Sequence, residues 1–462
     1  MTGRIEEGRY VGQRYKKQTT FVYQVYIPAV EEGVACALVV DHDGLNGAMV
    51  EALERLSATG DAPPCVVLGV VSGAMSPSLP CGTTAGMRMD NYDVFGPEYP
   101  AFITEELLPY VVEQHGLCLS PSPDMGCVAG GSSGGISACN MAWHRNDRFR
   151  RVYMSSPSFL EMGKGTQLLT LMRKCEPKPI RVYTEYGENE PNDYFGNSVS
   201  AAVEAERALS FAGYAVQARY FAGEGHCPRY GHADTLTEAF GFLWQDWDGS
   251  PVTLAHPSPR VARLVSPEEP WRETDVPFPE KARAVSNGRF SAAGEYLPCG
   301  DRVVFRAADG SERTVADGFG QVSACAVSSD KWRLYISDSL RGCVYFCRIL
   351  ADGSLEGRYL HGALHRATDF ACPGAVDLCA DTGDRVYAAT ELGVQVIRSF
   401  GLIDVILPLP CGLAPERVEL GGQEGHMLFA EAGGRVFCRP LLEGRRYDPD
   451  SVDVPLCREY YD

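Results

Sequence analysis

The feature that most constrains this chain is a run of small residues between an apolar segment and a helical pattern. Residues 126–129 are expected to form a buried strand, and Ile136, Cys139 and Trp143 follow with helical spacing. Between them, residues 130–135 read GGSSGG. Glycines let a strand and a helix pass closely, and they tolerate a strained backbone between the two. The sequence therefore predicts a tight strand–turn–helix corner with a serine at its tip.

A serine at such a corner has the arrangement of a nucleophile elbow. The pattern G-x-S-x-G fits around both Ser132 and Ser133, and we favour Ser132 because it comes directly after the apolar strand. The corner also lies at a helix N-terminus, where free N–H groups and the helix dipole can stabilise an oxyanion. The alternative is a glycine- and serine-rich turn without chemistry, so the rest of the chain must decide between the two.

An acidic loop after a later strand offers the carboxylate that would orient a catalytic base. Residues 178–183 predict this strand, which runs out into the loop at residues 185–194. Glu190 is the first choice for the carboxylate, Asp193 the second and Glu188 the third. For any single one of the three, a solvated surface carboxylate is the alternative.

A histidine follows on the next loop. His226 comes after Gly225, just past a strand predicted at residues 215–221, where a side chain has little packing role. We predict that His226 is the general base, with His232 as a minor alternative. The chain order serine, acid, histidine is that of one class of serine hydrolases.

A loop near the N-terminus offers a second oxyanion donor. Residues 35–40 predict a buried strand of the parallel kind, and it runs into a polar loop at residues 41–45. Open α/β sheets bind ligands at the carboxyl ends of their strands. We therefore expect the N–H of Gly44 or Leu45, together with that of Ser133, to bind the oxyanion. A plain strand-to-helix turn is the alternative.

Candidate substrate-binding residues lie on this loop and on a longer one. Residues 72–92 are rich in glycine, proline and serine and predict an active-site loop. Arg88 could clamp a substrate carboxylate or hydroxyls, although a salt bridge that fixes the loop is its more common use. Asp43 and Tyr92 complete this set.

The second half of the chain has a different pattern. Residues 250–275 hold five prolines with little apolar periodicity, which is typical of a linker. Beyond it, short strands recur with turns between them. Alike segments stand at residues 296–305, 324–348, 375–396 and 417–438, and they predict the blades of a β-propeller. The predicted organisation is an α/β domain at 1–247, a linker at 248–275 and an all-β domain at 276–462.

Residues from about 15 to 247 resemble the enterochelin-esterase-like and esterase D-like branch of the α/β-hydrolases. The resemblance rests on Asp43-Gly44, Arg88 with Tyr92-Asp93, Gly96 and Tyr99, the GGSSGG corner with Ala142-Trp143, the runs 176–182 and 211–214, and Gly225-His226. It implies a three-layer fold with Ser132 as nucleophile, His226 as base, and Glu190 where the family has an aspartate. It also implies acyl transfer through an ester on Ser132, with no metal or organic cofactor. Cys227 stands where the family has asparagine.

The second half resembles the gluconolactonase and regucalcin propellers in pieces, shortened to some four blades. The family's metal site uses Glu, Asn and Asp. The Asn position falls on Ser323 and the Asp position on Gly374. Because a divalent ion needs converging oxygen ligands, we expect a degenerate propeller without a metal site. Its open strand edges are expected to be covered by the first domain or by a second subunit in a homo-oligomer.

The net charge and the cysteine pattern of the chain limit its binding partners and its cellular location. A formal net charge of −18 argues against nucleic acid and anionic membranes, since phosphate binding needs clustered Lys and Arg. Residues 1–15 carry no apolar secretory segment, and the apolar runs are too short to span a bilayer. The 17 cysteines follow no disulfide framework and are expected to be reduced. We predict a cytoplasmic protein whose partner is a small-molecule ester.

The function predicted from the sequence is that of a serine carboxylic-ester hydrolase. Its substrate would be a small or carbohydrate-linked ester, such as an acylated sugar or a hydroxycinnamate ester. One alternative is a non-catalytic binding or scaffold protein in which both sites are degenerate. The other is a metal-dependent lactonase in the C-terminal half.

Overall fold

The computed structural model describes residues 3–17, 19–72, 85–163, 165–281, 284–285, 293–366, 374–422 and 425–442. The chain divides into two compact units. The first holds residues 1–173 and 177–256, and the second holds residues 174–176 and 257–462. Most of the predicted active-site loop, residues 73–84, lies outside the described residues.

An eight-stranded sheet forms the centre of the first unit, in the order β1-β2-β4-β3-β5-β6-β7-β10. The pairs β1/β2 and β2/β4 are antiparallel, and the pairs from β4 to β10 are parallel. The strands are β1 (Arg4–Val11), β2 (Thr20–Ile27), β3 (Ala37–His42), β4 (Cys65–Val70), β5 (Gly126–Gly131), β6 (Arg151–Ser155), β7 (Arg181–Gly187) and β10 (Ala215–Phe221). A small hairpin, β8 (Asn192–Asp193) and β9 (Gly196–Asn197), follows β7.

Helices cover this sheet in the manner of an α/β fold. They are α1 (Gly47–Thr59), α2 (Ala85–Arg88), α3 (Glu98–Phe102), α4 (Leu108–His115), α5 (Ser133–His144), α6 (Gly165–Lys174), α7 (Ser198–Ala212) and α8 (Ala233–Trp244). Short π-helical turns follow α2 and α3, at Met89–Asp93 and Ile103–Leu107, and a 3₁₀ turn spans Pro123–Met125. In the described part of the chain, no helix combines the length and the apolar character needed to cross a membrane.

The central strands are buried on both faces, which is why they read as continuous apolar runs in the sequence. Every residue of β3, β4, β5, β6 and β7 is buried. On one face Val39, Cys127 and Tyr153 pack with Phe240 and Trp244 of α8 in a single apolar cluster. The predicted α/β fold of the first half is confirmed.

The glycines at the end of β5 are required by a close approach of backbones. A Cβ built on Gly130 would lie 2.4 Å from the carbonyl carbon of Gly134 in α5. A side chain at this position would therefore push the strand and the helix apart. The tight corner predicted from the GGSSGG run is the one that the structure shows.

Four-stranded antiparallel sheets make up the second unit, arranged as a small propeller. The described part of this unit contains four such sheets, and in three of them the strands follow one another along the chain. These contain β12 (Ala284–Val285), β13 (Gly294–Cys299), β14 (Arg302–Ala307) and β15 (Glu312–Ala316); β16 (Val322–Val327), β17 (Arg333–Asp338), β18 (Cys343–Ile349) and β19 (Leu355–Ala363); and β20 (Asp377–Ala380), β21 (Val386–Thr390), β22 (Gly393–Ile397) and β23 (Ile403–Leu407). Each predicted segment falls within one sheet, so the propeller-like prediction is confirmed.

The fourth sheet is built from both ends of the unit. Its strands are β24 (Arg417–Gly421), β25 (Met427–Ala432) and β26 (Arg435–Pro440), and its outer strand is β11 (Arg272–Glu273), which pairs with β26. β11 therefore pairs with part of the outer edge of β26, at Phe437 and Cys438. Cover of open strand edges by the first domain or by a second subunit stays a prediction.

The stretch predicted as a linker contains ordered elements. A short helix, α9 (Val261–Leu264), lies within residues 248–275, as does β11. Val261 and Leu264 are buried in an apolar cluster of the second unit, together with Val418 and Leu428. A second 3₁₀ turn spans Pro410–Gly412.

Candidate active site

Ser132 stands at the sharp corner between β5 and α5. Its backbone has φ 55° and ψ −123°, which L residues rarely adopt. Its N–H donates to the Ser155 carbonyl (2.8 Å), and its own carbonyl accepts from the N–H of Gly135 (3.0 Å). The side chain is half-buried, and its Oγ lies 3.1 Å from Ser158 Oγ. Backbone strain of this kind is found mainly at functional sites.

Ser133, the alternative nucleophile, lies in a different environment. It is the first residue of α5 and is only 3% exposed. A nucleophile needs access to its substrate, so the geometry favours Ser132, at the tip of the corner, over Ser133.

Glu190 and His226 form a charge-assisted pair. His226 Nδ1 lies 2.5 Å from Glu190 Oε2. The carboxylate is buried, and its Oε1 accepts from the Gly187 N–H (3.1 Å) and from the Ser156 hydroxyl. Burial raises the pKa of Glu190, but the hydrogen bonds from His226, Ser156 and Gly187 outweigh it and hold that pKa below its ordinary value. A buried, ionised carboxylate on Nδ1 is what orients a histidine base.

The loop that carries His226 reaches the corner through the next residue. A Cβ built on Gly131, the neighbour of Ser132, would meet Cys227 Sγ at 3.0 Å. Hydrogen bonds to the Cys227 thiol and to the Glu190 carboxylate raise the pKa of His226, against the burial that would lower it. Here the Ser132 hydroxyl bonds Ser158 and the His226 ring bonds Glu190. Catalytic hydrogen bonds are often long in an enzyme without substrate.

The structure brings none of the other acidic candidates to this histidine. Asp193 is exposed, and its carboxylate accepts from the Phe195 N–H at 2.9 Å. Glu188 accepts from the Gly223 N–H at 2.7 Å. His232, the alternative base, is exposed and precedes the first turn of α8. Glu190 is thus the predicted carboxylate that lies beside His226.

The predicted oxyanion loop packs against the first turn of α5. Asp43 and Gly44 both have positive φ, at 72° and 106°, and the Asp43 N–H donates to the Val70 carbonyl (3.0 Å). A Cβ built on Gly134 would lie 3.4 Å from Asp43 Oδ2. Asp43, the residue before Gly44 and Leu45, therefore lies beside the first turn of α5.

The predicted substrate-binding residues contact one another. The guanidinium of Arg88 pairs with Asp43 and lies 5.2 Å from the centre of the Tyr92 ring. Tyr92 is 1% exposed, and its hydroxyl donates to the Val70 carbonyl (3.1 Å). The Arg88–Asp43 pair is partly open to solvent, whereas Tyr92 supports the loop from behind.

Two serines that sequence reasoning missed lie at the centre of the site. The Ser156 hydroxyl contacts Glu190, and the Ser158 hydroxyl contacts Ser132. Both follow β6, the neighbour of β5 in the sheet, so their loop lies beside the elbow. The position after a strand adjacent to the elbow strand is the signal that could have identified them.

A buried cluster ties the oxyanion loop to the histidine loop. The Tyr230 hydroxyl donates to Asp41, and Asn46 Nδ2 donates to the Tyr230 carbonyl (2.5 Å). The Asn46 N–H also donates to Asp41 (3.0 Å). Burial raises the pKa of Asp41 to about 8, although these hydrogen bonds act in the opposite direction.

Ser323 and Gly374, which stand at two metal-ligand positions of the gluconolactonase pattern, make ordinary hydrogen bonds within the second unit. The hydroxyls of Ser323 and Ser337 both donate to the Ala375 carbonyl, at 2.5 and 2.7 Å. The Gly374 N–H donates to the Ser339 carbonyl (2.9 Å). Across the residues that the structure describes, no group of three or more His, Cys, Asp or Glu side chains could hold a metal ion. At these two positions Ser323 and Gly374 carry neither a carboxylate nor an amide side chain.

Comparison with known protein families identifies the first unit. Residues 16–230 match the family described as "Putative esterase". The matched residues lie within the first unit, and the match supports carboxylic-ester hydrolase activity there. Among curated proteins, none matches the sequence.

Solved structures similar to the chain include esterases and a putative gluconolactonase. A ferulic acid esterase is 17% identical with a TM-score of 0.41, and the match covers 53% of this chain and 99% of the other. The enterobactin esterase of Shigella flexneri is 19% identical with a TM-score of 0.42, and the match covers 53% and 60%. A putative gluconolactonase is 20% identical with a TM-score of 0.27; the match covers 33% of this chain and 49% of that one.

Proposed function

We propose that this esterase hydrolyses its substrate through an acyl-enzyme formed on Ser132. The pair formed by His226 and Glu190 at 2.5 Å is the observation that carries the proposal, together with the strained serine at the end of β5. His226 would accept the Ser132 proton as the hydroxyl attacks the ester carbonyl, and would return it to the leaving alcohol. A water molecule, activated by the same imidazole, would then release the acid and restore the serine.

Charge on the tetrahedral intermediate would be stabilised by backbone N–H groups. The N–H of Ser133, at the start of α5, and that of Gly44 or Leu45 are the proposed donors. Their roles are supported by the way the turn at Asp43 and Gly44 packs on the first turn of α5. Loss of one such donor typically raises the barrier by about 3–4 kcal/mol.

The proposed substrate is a small or carbohydrate-linked ester, such as an acylated sugar or a hydroxycinnamate ester. The partly exposed pair of Asp43 and Arg88 can bind hydroxyl groups. Tyr194 and Phe195, exposed on the hairpin that begins shortly after Glu190, have ring centroids 4.2 Å apart. Exposed aromatic surfaces of this kind can stack on a planar acyl group. We propose a cytoplasmic location as part of the same account.

The test is hydrolysis of p-nitrophenyl acetate by two matched variants of the corner. Ser132→Ala removes the proposed nucleophile and is expected to lower kcat/KM by at least about a thousandfold. Ser133→Ala keeps the N–H of residue 133 and is expected to stay within about tenfold of the parent. Full activity of Ser132→Ala would refute the proposal, and loss of activity in Ser133→Ala alone would move the nucleophile to Ser133.

A further inference from the structure

Ser156 makes two hydrogen bonds that join the acid of the proposed triad to the loop of its base. Its hydroxyl donates to Glu190 Oε1 and accepts from the N–H of Cys227 at 2.8 Å. Cys227 follows His226 directly, and Glu190 Oε2 pairs with the His226 ring. One hydroxyl therefore contacts both the carboxylate and the backbone that carries the imidazole.

The backbone conformation at position 156 indicates that serine is present there for its hydroxyl group. Ser156 has φ 44° and is 3% exposed. Glycine adopts positive φ without a steric penalty, whereas other residues are strained there. Glycine would thus be the less strained residue at position 156, but it could not make either hydrogen bond.

A glutamate in the third position of the triad needs more restraint than an aspartate. Glu190 has one more rotatable bond than aspartate, so its carboxylate can turn away from the ring more easily. The Ser156 hydroxyl and the Gly187 N–H (3.1 Å) both bind Oε1, which leaves Oε2 directed at His226. A carboxylate held at two donors loses most of this freedom.

We propose that Ser156 is a positioning residue, which holds the Glu190 carboxylate and the His226 loop in mutual alignment. The inference rests on the proposed function and assigns no contact between Ser156 and substrate. It adds a fourth side chain to the proposed triad of Ser132, His226 and Glu190.

The first test is Ser156→Gly, which removes the hydroxyl and suits the positive φ. A hydrogen bond to a charged group is lost, so kcat for p-nitrophenyl acetate is expected to fall about tenfold to a hundredfold. KM is expected to change less than about threefold, since Ser156 does not touch the substrate. Thr184→Val is the matched control, because the buried Thr184 hydroxyl on β7 has no hydrogen-bond partner within the described residues. An unchanged kcat in a folded Ser156→Gly would overturn the inference.

A double-mutant cycle separates positioning from a general structural effect. If Ser156 acts through Glu190, Ser156→Gly should lower kcat by less than about threefold once Glu190→Gln is present. Equal losses in both backgrounds would contradict the inference. Should Ser156→Gly fail to fold, as judged by circular dichroism and thermal unfolding, Ser156→Ala serves as the second variant without a hydroxyl.

The controls keep this inference distinct from the proposed function. An inactive Ser132→Ala with an unchanged Ser156→Gly would reject the positioning role alone. An active Ser132→Ala would reject the acyl-enzyme mechanism itself, and the positioning role with it.

Discussion

Glu190 is the residue on which the proposed chemistry of the corner most depends. It is a longer carboxylate than the aspartate expected from the family resemblance, and donors from Gly187, Ser156 and His226 surround it. The Cys227 thiol and the Glu190 carboxylate together hold the pKa of His226 above its ordinary value. The free base must be neutral to accept the serine proton, so kcat/KM should rise as the pH rises through this pKa.

Replacing Glu190 by glutamine is expected to lower both the activity and the pKa of His226. The neutral amide no longer stabilises the imidazolium, so the acidic limb of the kcat/KM profile should move to lower pH. The maximum should fall by about a thousandfold or more, as when other triads lose their carboxylate. The profile is measured with p-nitrophenyl acetate, and Asp193→Asn is the control, because Asp193 is exposed and its carboxylate accepts from the Phe195 N–H of its own hairpin. An acidic limb that stays at the same pH in Glu190→Gln would show that Glu190 does not raise the pKa of the base.

The sequence predicted Glu190 and His226 as triad candidates because chain order and loop position limit the choice, and the structure pairs the two side chains. It did not identify Ser156 or Ser158. A serine after a strand has many ordinary uses, and the roles of these two depend on a positive φ and on contacts with residues distant in the chain. Local pattern carries no information about such contacts.

At the scale of elements, the corner depends on how closely β5 and α5 approach. A methyl group on Gly130 would lie 2.4 Å from the backbone of Gly134 and could not be accommodated without moving the helix. Gly130→Ala is therefore expected to destabilise the protein by about 1–3 kcal/mol or more and to abolish activity. Gly241→Ala, in the interior of α8, is the matched control. The nearest atom to its added methyl is Leu56 Cδ2 at 3.8 Å, so it should stabilise by up to about 1 kcal/mol. Urea denaturation distinguishes the two, and equal effects would contradict the account.

The second unit contains an ion pair that its own elements bury. Lys281 pairs with Asp377 at the start of β20, and its Nζ also donates to the Leu378 carbonyl (2.9 Å). Their side chains are only 7% and 9% exposed. Asp377 also accepts from the N–H of Val418 in β24 at 2.9 Å, so the pair joins neighbouring sheets.

Breaking this pair is expected to loosen β20 and β24 strongly. Lys281→Met leaves a buried carboxylate without its cation, which typically costs about 3–5 kcal/mol. Glu356→Gln breaks an exposed pair with Arg348, 60% and 56% exposed, and should cost less than about 1 kcal/mol. Hydrogen exchange measured by mass spectrometry on peptides from residues 377–380 and 417–421 reports the difference. Protection equal to that of the parent in Lys281→Met would show that the pair contributes nothing.

Recurring strands and turns were enough to predict the blades of the second unit. They could not predict that β11 joins β26, because two residues after a proline-rich stretch have too little pattern to indicate a strand. Helix α1 is the opposite case. Asn46 caps its first turn and Gly60, with φ 83°, ends it, and both are residue types that local sequence pattern can indicate.

At the scale of the whole molecule, the chain joins a unit that matches an esterase family to a propeller-like unit whose described residues hold no metal cluster. The proposed mechanism needs no metal, because a base and backbone N–H groups supply the chemistry. Dialysis against EDTA is therefore expected to leave hydrolysis of p-nitrophenyl acetate within about twofold of the untreated protein. Calcium and zinc should not produce opening of a sugar lactone. Lactone opening that depends on added calcium or zinc would contradict the view that the second unit has no metal site.

The central claim is that Ser132 becomes acylated, and a fluorophosphonate probe tests it most directly. Such probes react with a serine that a neighbouring base has activated. Peptide mass spectrometry of the labelled intact chain should locate the probe on Ser132, with labelling retained in Ser133→Ala and lost in Ser132→Ala. A chain that takes up no probe, or one still labelled in the Ser132→Ala variant, would contradict the account.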